Sequence, residues 1–255
     1  MAIRLIDGSE FLHIPKTGGT WVENVLRENG LIDTAFGGDK HATYDQVLRP
    51  RRAGGLRDLL AECKYLAIEK LRRRNRQKQR SRRATTRFCF VRNPLTWYES
   101  WWKYMRRRGW NSWGCELGLG DWHPNSALNG LGSDDFNTFV ANVIQKRPGY
   151  VSELMYSYAK SGITYVGKCE NLSEDLYKII TALGHDLDKE KLFRRKHDNV
   201  SPEPKDPIRW DPALKKTLTR LELPSLLHFG YLSTEEQAEL GIMTKIRPAS
   251  SLTIP

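Results

Sequence analysis

The stretch FLHIPKTGGTW at residues 11–21 constrains this chain more than any other. An apolar run, SEFLHI at 9–14, reads as a buried strand and stops at Pro15. Two glycines follow, and then Trp21, Val22, Val25 and Leu26 recur at helical spacing up to Gly30, a residue suited to the position past a helix C-terminus. Strand, glycine turn and helix in that order open an α/β unit. The first N–H groups of a helix have no intrahelical partner and sit at the positive end of its dipole. Thr17, Gly18, Gly19, Thr20 and Trp21 therefore offer a row of backbone donors, to which the Thr17 and Thr20 hydroxyls and the Lys16 ammonium add. This is an anion loop. It is not the common nucleotide-triphosphate loop, which needs G-x-x-x-x-G-K-[ST] with lysine after the glycines. Here Lys16 precedes them, and no acidic strand end suited to Mg²⁺ is evident.

The same alternation continues downstream. RFCFVRNP (87–94) reads as a second buried strand stopped by Pro94, and LTWYESWWKYMRRR (95–108) as the helix after it. Further helices are expected over 57–70, 134–145, 151–160 and 173–184, the last capped by Ser173 and ended by Gly184. ITYVGK (163–168) reads as a third strand, and Asp211-Pro212 as the start of another helix. These elements predict an α/β chain, a P-loop-like three-layer fold with a central, mainly parallel sheet flanked by helices. One domain is expected over 1–235, followed by a C-terminal tail, 236–255. In such sheets ligands bind beyond the carboxyl ends of the strands.

The net charge of +11, from 41 Lys and Arg against 30 Asp and Glu, favours an anionic partner. Much of it lies in the basic segment 70–86, which reads as a solvated surface loop or as a landing strip for an acidic acceptor or a membrane surface. Cys63, Cys89, Cys115 and Cys169 form no C-x-x-C pair, so neither zinc nor a disulfide framework is expected and a reducing compartment is the simple reading. No signal peptide and no apolar run long enough to span a bilayer is evident, which gives a cytoplasmic expectation.

Arg92 ends the second strand, where its guanidinium suits bidentate contact with a phosphate; an ordinary ion pair is the alternative. Ser100, eight residues on, can turn its hydroxyl back toward that strand end, or stand as a plain helix-surface serine. With these residues the chain resembles a known family. IPKTGGT looks like the 5′-phosphosulfate loop of sulfotransferases that use 3′-phosphoadenosine 5′-phosphosulfate (PAPS). FVRNPLTWYESWW resembles their 3′-phosphate motif: Arg92, Asn93, Pro94 and Ser100 match, whereas Trp97 stands where many members have Arg and Trp102 where many have Tyr. YVGKCENLSEDLYKIITALG is similar to a third family segment, with Lys168-Cys169-Glu170 in place of the usual Arg-Phe-Glu. The resemblance covers about residues 9–232 and is nearest to the heparan 2-O-like carbohydrate branch and its bacterial relatives.

The resemblance implies transfer of a sulfuryl group from PAPS to an acceptor hydroxyl, leaving 3′-phosphoadenosine 5′-phosphate (PAP), without a metal. Lys16 would serve the leaving phosphate. Among the six histidines, His41 in the string KHATYDQV resembles the family's general base, and its Gly-rich connection can return to the active face. His13 is expected to be core or to support the site; His123, His185 and His228 read as structural. In KHDNVSP (196–202), Asn199 and Ser201 either form a turn before Pro202 or close over the nucleotide, as a similar family string does.

The Gly/Trp-rich segment 109–132 is expected on the acceptor side, where Trp110, Trp113 and Trp122 would offer flat faces to a sugar or an aromatic ring and Arg106, Arg107 and Arg108 would suit an acidic acceptor. The partner expected is a hydroxyl-bearing glycan or another anionic acceptor, not nucleic acid. The competing readings are a P-loop small-molecule kinase and a non-catalytic basic binding protein.

Overall fold

The computed structural model describes residues 2–34, 85–112, 123–159, 162–196, 198 and 207–242. Within them the chain is α/β, with a four-stranded, mostly parallel sheet. The strands are β1 (Ala2–Arg4), β2 (Glu10–Leu12), β3 (Arg87–Val91) and β4 (Tyr165–Lys168), arranged in chain order. β2, β3 and β4 run parallel, with Phe11 opposite Phe88 and Cys89 opposite Val166; β1 is antiparallel to β2. The helices are α1 (Gly19–Glu28), α2 (Pro94–Arg107), α3 (Phe136–Lys146), α4 (Tyr150–Tyr158), α5 (Leu172–Ala182), α6 (Lys189–Arg194), α7 (Pro212–Leu221), α8 (Leu223–His228) and α9 (Thr234–Glu239).

Side chains alternate across a strand, so each parallel strand feeds both faces of the sheet. Phe11, Phe88 and Phe90 pack with Trp21, Val25 and Leu26 of α1 and with Leu176 and Ile179 of α5. Leu12, Cys89 and Val91 pack on the other face with Trp97, Tyr98 and Trp101 of α2, Phe139 of α3 and Met155 of α4. Near-continuous apolar strands are what burial on both faces demands.

Local chemistry sets the helix ends. Asp211 caps α7 by accepting from Leu214 N, with Pro212 at its first position, as expected. Gly30, with φ 66°, lets Gly30 N and Leu31 N return to the Arg27 and Leu26 carbonyls and close α1. Ser173 does not cap α5. A short 3₁₀ turn, Cys169–Asn171, runs straight into that helix, so the chain is already helical at Leu172. Asp175 instead reaches back and accepts from Lys168 N at 2.7 Å, fastening α5 to the end of β4.

Gly149 precedes α4 and supplies no side-chain cap. Glu222, at the junction of α7 and α8 and fully buried, does so from a distance. Its carboxylate accepts from Val151 N (3.1 Å), Ser152 N (2.7 Å), Ser152 Oγ (2.7 Å) and the Tyr98 hydroxyl (2.6 Å). A negative charge is favoured at that helix end.

The strand β1 and the helices α6, α8 and α9 extend the elements expected from sequence, and α9 straddles the boundary drawn at 235. No helix among the described residues is long and apolar enough to cross a membrane. The helix expected over 57–70 and the basic segment 70–86 lie outside the described residues, apart from the last two positions of the latter.

Candidate anion site at the strand ends

The carboxyl ends of β2, β3 and β4 lie side by side, and each runs through a short turn into a helix start: residues 13–18 into α1, Arg92-Asn93 into α2, and 169–171 into α5. Lys16, Thr17 and Gly18 lie on the first of these turns and Arg92 on the second, while Gly19, Thr20 and Trp21 open α1 and Ser100 lies within α2. His41, Asn199 and Ser201 lie outside the described residues, as do Trp113, Trp122 and His197.

The glycines of the first turn are needed for packing. Gly18 has φ 81°, and a Cβ there would come within 2.5 Å of Leu172 Cδ2. A Cβ on Gly19 would fall 2.0 Å from Cδ2 of His13, which is buried and stacked on Phe11. His13 is thus a core residue that presses on the loop. Gly19→Ala is expected to cost about 1–3 kcal/mol by overpacking and to tilt the start of α1; urea denaturation and an anion titration would register the two effects. Gly18 offers no side-chain cap to α1. The Thr17 hydroxyl is not the ligand donor expected from sequence: it donates to Ile14 O at 2.9 Å, leaving Thr17 its backbone N–H for a ligand.

Lys16 is one of two non-glycine residues with positive φ, at 66°, among the described residues. Its ammonium lies 4.4 Å from the centroid of the Tyr104 ring on α2. Burial, with Arg92 and Arg107 nearby, pulls its pKa from the ordinary 10.5 down to about 8. Arg92 donates through Nε to Thr96 Oγ1 at 3.1 Å and through a terminal nitrogen to Lys16 O at 3.3 Å. The second turn is thereby tied to the first. Among the described residues neither Lys16 nor Arg92 pairs with a carboxylate, so the ordinary ion pair weighed for Arg92 is not what holds it. Two neighbouring cations without a counter-charge make a site that an anion would relieve.

Asn93 caps α2 by accepting from Leu95 N, and its own N–H donates to Glu170 Oε1 at 2.8 Å. Glu170 Oε2 accepts from the Tyr231 hydroxyl at 3.0 Å, and the Lys168 ammonium donates to Gly230 O. These contacts lock the ends of β3 and β4 together. Cys169 is half-buried between them, its thiol pushed up to about 11, mainly by burial. Ser100 is half-buried on α2, one turn beyond Thr96 and one turn before Tyr104. That spacing puts its hydroxyl on the helix face between the residue that holds Arg92 and the ring beside Lys16.

Lys196 O accepts from Trp21 Nε1 at 3.1 Å, and Asp198 accepts from Asn24 and Arg195. The chain is thus fastened to α1 immediately before Asn199.

Trp110, expected to offer a flat face to an acceptor, is taken up by intramolecular contacts. Its ring packs on Phe139, 5.5 Å between centroids, its N–H donates to Asp134, and Gly132 lies close against it. With φ 56° the backbone turns the indole inward onto α3.

The sequence reading missed Thr96, Tyr104 and Glu170. Tyr104 and Arg107 sit four and seven residues after Ser100, so the helical period was a usable signal for both. No family model, no curated protein and no solved structure matches this chain. Among the described residues no group of His, Cys, Asp and Glu is arranged to hold a metal ion.

Proposed function

We propose that this protein is a PAPS-dependent O-sulfotransferase acting on a glycan or another anionic, hydroxyl-bearing acceptor in the cytoplasm, on a P-loop-like three-layer fold. The observation that carries the reading is the pair of unneutralised cations, Lys16 and Arg92, on adjacent strand-to-helix turns joined by one 3.3 Å hydrogen bond. A nucleotide with phosphates on both its 5′ and 3′ positions needs two anion sites on one edge of the fold. The uncapped start of α1 with Lys16 suits the 5′ phosphosulfate; Arg92 and Ser100 suit the 3′ phosphate.

In the proposed reaction the acceptor oxygen attacks sulfur in line as the bond to the 5′-phosphate oxygen breaks, giving a sulfate ester and PAP. Lys16 is assigned to the oxygen on which charge grows, where one well-placed donor contributes roughly 3–4 kcal/mol. His41 is assigned to take the acceptor proton, a role worth roughly 10²–10⁴-fold. Asn199 and Ser201 are assigned to the nucleotide from the segment that follows the Lys196 anchor on α1.

Melting the protein with PAP, with ATP and Mg²⁺, and alone tests the reading. At ~100 times its dissociation constant a ligand adds about 2.7 kcal/mol. PAP is expected to raise Tm; stabilisation by ATP and Mg²⁺ instead would point to a kinase. The pH dependence has a defined sign. A bound polyanion favours the charged form of Lys16, so PAP affinity is expected to hold below pH 8 and to fall as pH rises through about 8. Calorimetric titration at pH 6.5, 7.5 and 9 would follow it, and affinity flat across that range would remove Lys16 from the contact.

A further inference from the structure

Three successive carbonyl oxygens of the anion loop each accept a hydrogen bond from a side chain: Ile14 O from the Thr17 hydroxyl at 2.9 Å, Pro15 O from Trp97 Nε1 at 2.9 Å, and Lys16 O from Arg92 at 3.3 Å. Carbonyl oxygens carry partial negative charge and would repel an anion. Held this way they are occupied from behind, while the N–H groups after them lead into the start of α1. The same three bonds bracket Lys16, whose left-handed backbone is unfavourable for a residue with a side chain and persists only where its surroundings fix it.

Of the three donors, Trp97 has the least freedom. It is fully buried, stacked on Trp101 at 5.8 Å and 15°, and met edge-on by Tyr98 at 5.6 Å. Tyr150 closes on it at 5.8 Å. An indole gripped on these sides can aim its N–H only one way, and it aims at Pro15 O.

We propose that Trp97 is a positioning residue for the anion loop: its buried indole N–H, by holding the Pro15 carbonyl, keeps Lys16 in its left-handed conformation beside Tyr104 and Arg92. This inference rests on the loop being the donor-nucleotide site proposed above, and it adds a residue that touches neither nucleotide nor acceptor. Thr17 and Arg92 act within or beside the loop; Trp97 connects it to the apolar core between α2 and α4. The geometry of the cation is in this way set by aromatic packing on the far side of the sheet edge.

The cleanest test replaces Trp97 with benzothienylalanine, which keeps the bicyclic shape and lacks only the N–H; Trp97→Phe is the second variant. Two readouts are taken on protein that melts cooperatively. The first is acylation of the Lys16 amine by acetic anhydride across pH 6–11, followed by mass spectrometry. The wild-type profile is expected to turn near pH 8, and the variants' to move up toward the ordinary lysine value of 10.5 as the amine leaves its buried position beside Arg92 and Arg107. The second is PAP affinity by calorimetry, expected to fall roughly tenfold, the usual worth of one lost hydrogen bond. A folded variant with the wild-type acylation profile overturns the inference.

Failure of the wild-type protein to bind PAP would instead strike at the functional reading and leave the acylation result to decide on Trp97. If neither variant folds, indole hydrogen exchange in the wild-type protein decides. The Trp97 N–H is expected to exchange only over hours and to slow further with PAP. Exchange within minutes, or no response to PAP in a protein that binds it, overturns the inference.

Discussion

Replacing Lys16 with glycine is expected to make the protein more stable and to reduce the proposed sulfuryl transfer by roughly 10²–10³-fold, the usual cost of removing one donor from a developing oxyanion. The stability gain has two sources. The left-handed backbone at Lys16, φ 66°, costs a side-chain-bearing residue about 1–2 kcal/mol. Glycine's extra freedom in the unfolded chain returns about 0.5–1 kcal/mol of that. The ammonium is also held away from water beside Arg92 and Arg107.

The second source has a pH signature. The amine titrates near 8 in the fold and at 10.5 when free, so the unfolded chain binds more protons between those values. The burden that Lys16 places on the fold is complete below pH 8 and fades as pH rises toward 10.5. The advantage of Lys16→Gly should therefore be largest at pH 7 and shrink to its backbone part near pH 10.5, as read by urea denaturation at both. A residue that lowers stability where it stands, and without which turnover is lost, belongs to function. A variant that is destabilised and still transfers sulfate would contradict this assignment.

The second large effect is on stability. Glu222→Ala removes the common acceptor of Val151 N, Ser152 N, the Ser152 hydroxyl and the Tyr98 hydroxyl, all buried. Each stranded donor costs about 1–3 kcal/mol before relaxation, and removing one partner from a buried charged network typically costs 3–5 kcal/mol in sum. At roughly 2–4 °C per kcal/mol for a chain of this size, Tm is expected to drop by about 6–20 °C. A Tm within a degree or two of wild type would show that water or the Ser225 hydroxyl, 2.8 Å from Ser152 Oγ, substitutes for the carboxylate.

What the sequence revealed, and what it hid, follows from the range over which each signal acts. The turn into α1 was legible because its causes are local: Phe11 and Leu12 in an apolar run, two glycines, and Trp21, Val22, Val25 and Leu26 on one helical face. The turn at Arg92 was legible because a strand end and a helix start follow each other directly. β1 escaped because three residues are too few to show a period of two, and its pairing is decided by β2. Glu222 sits in RLELPSL, where a lone carboxylate reads as solvated. Its burial makes sense only once the start of α4, 70 residues away, lies over it.

The partners of the indole N–H groups were hidden for the same reason. Trp97 and Trp110 carry polar N–H groups whose partners, Pro15 and Asp134, are assigned by tertiary packing. Glu170 meets Tyr231 across 61 residues, a contact no window of sequence contains.

The central claim is that one edge of the sheet holds two phosphates of one nucleotide. Calorimetric titration of the wild-type protein with PAP and with adenosine 5′-phosphate, which lacks only the 3′ phosphate, addresses it most directly. PAP is expected to bind at least about a hundredfold more tightly, as charge-assisted hydrogen bonds from Arg92 to the second phosphate would give, and Arg92→Ala is expected to erase the difference. Equal affinity for the two nucleotides, or a gap that survives Arg92→Ala, would contradict the account.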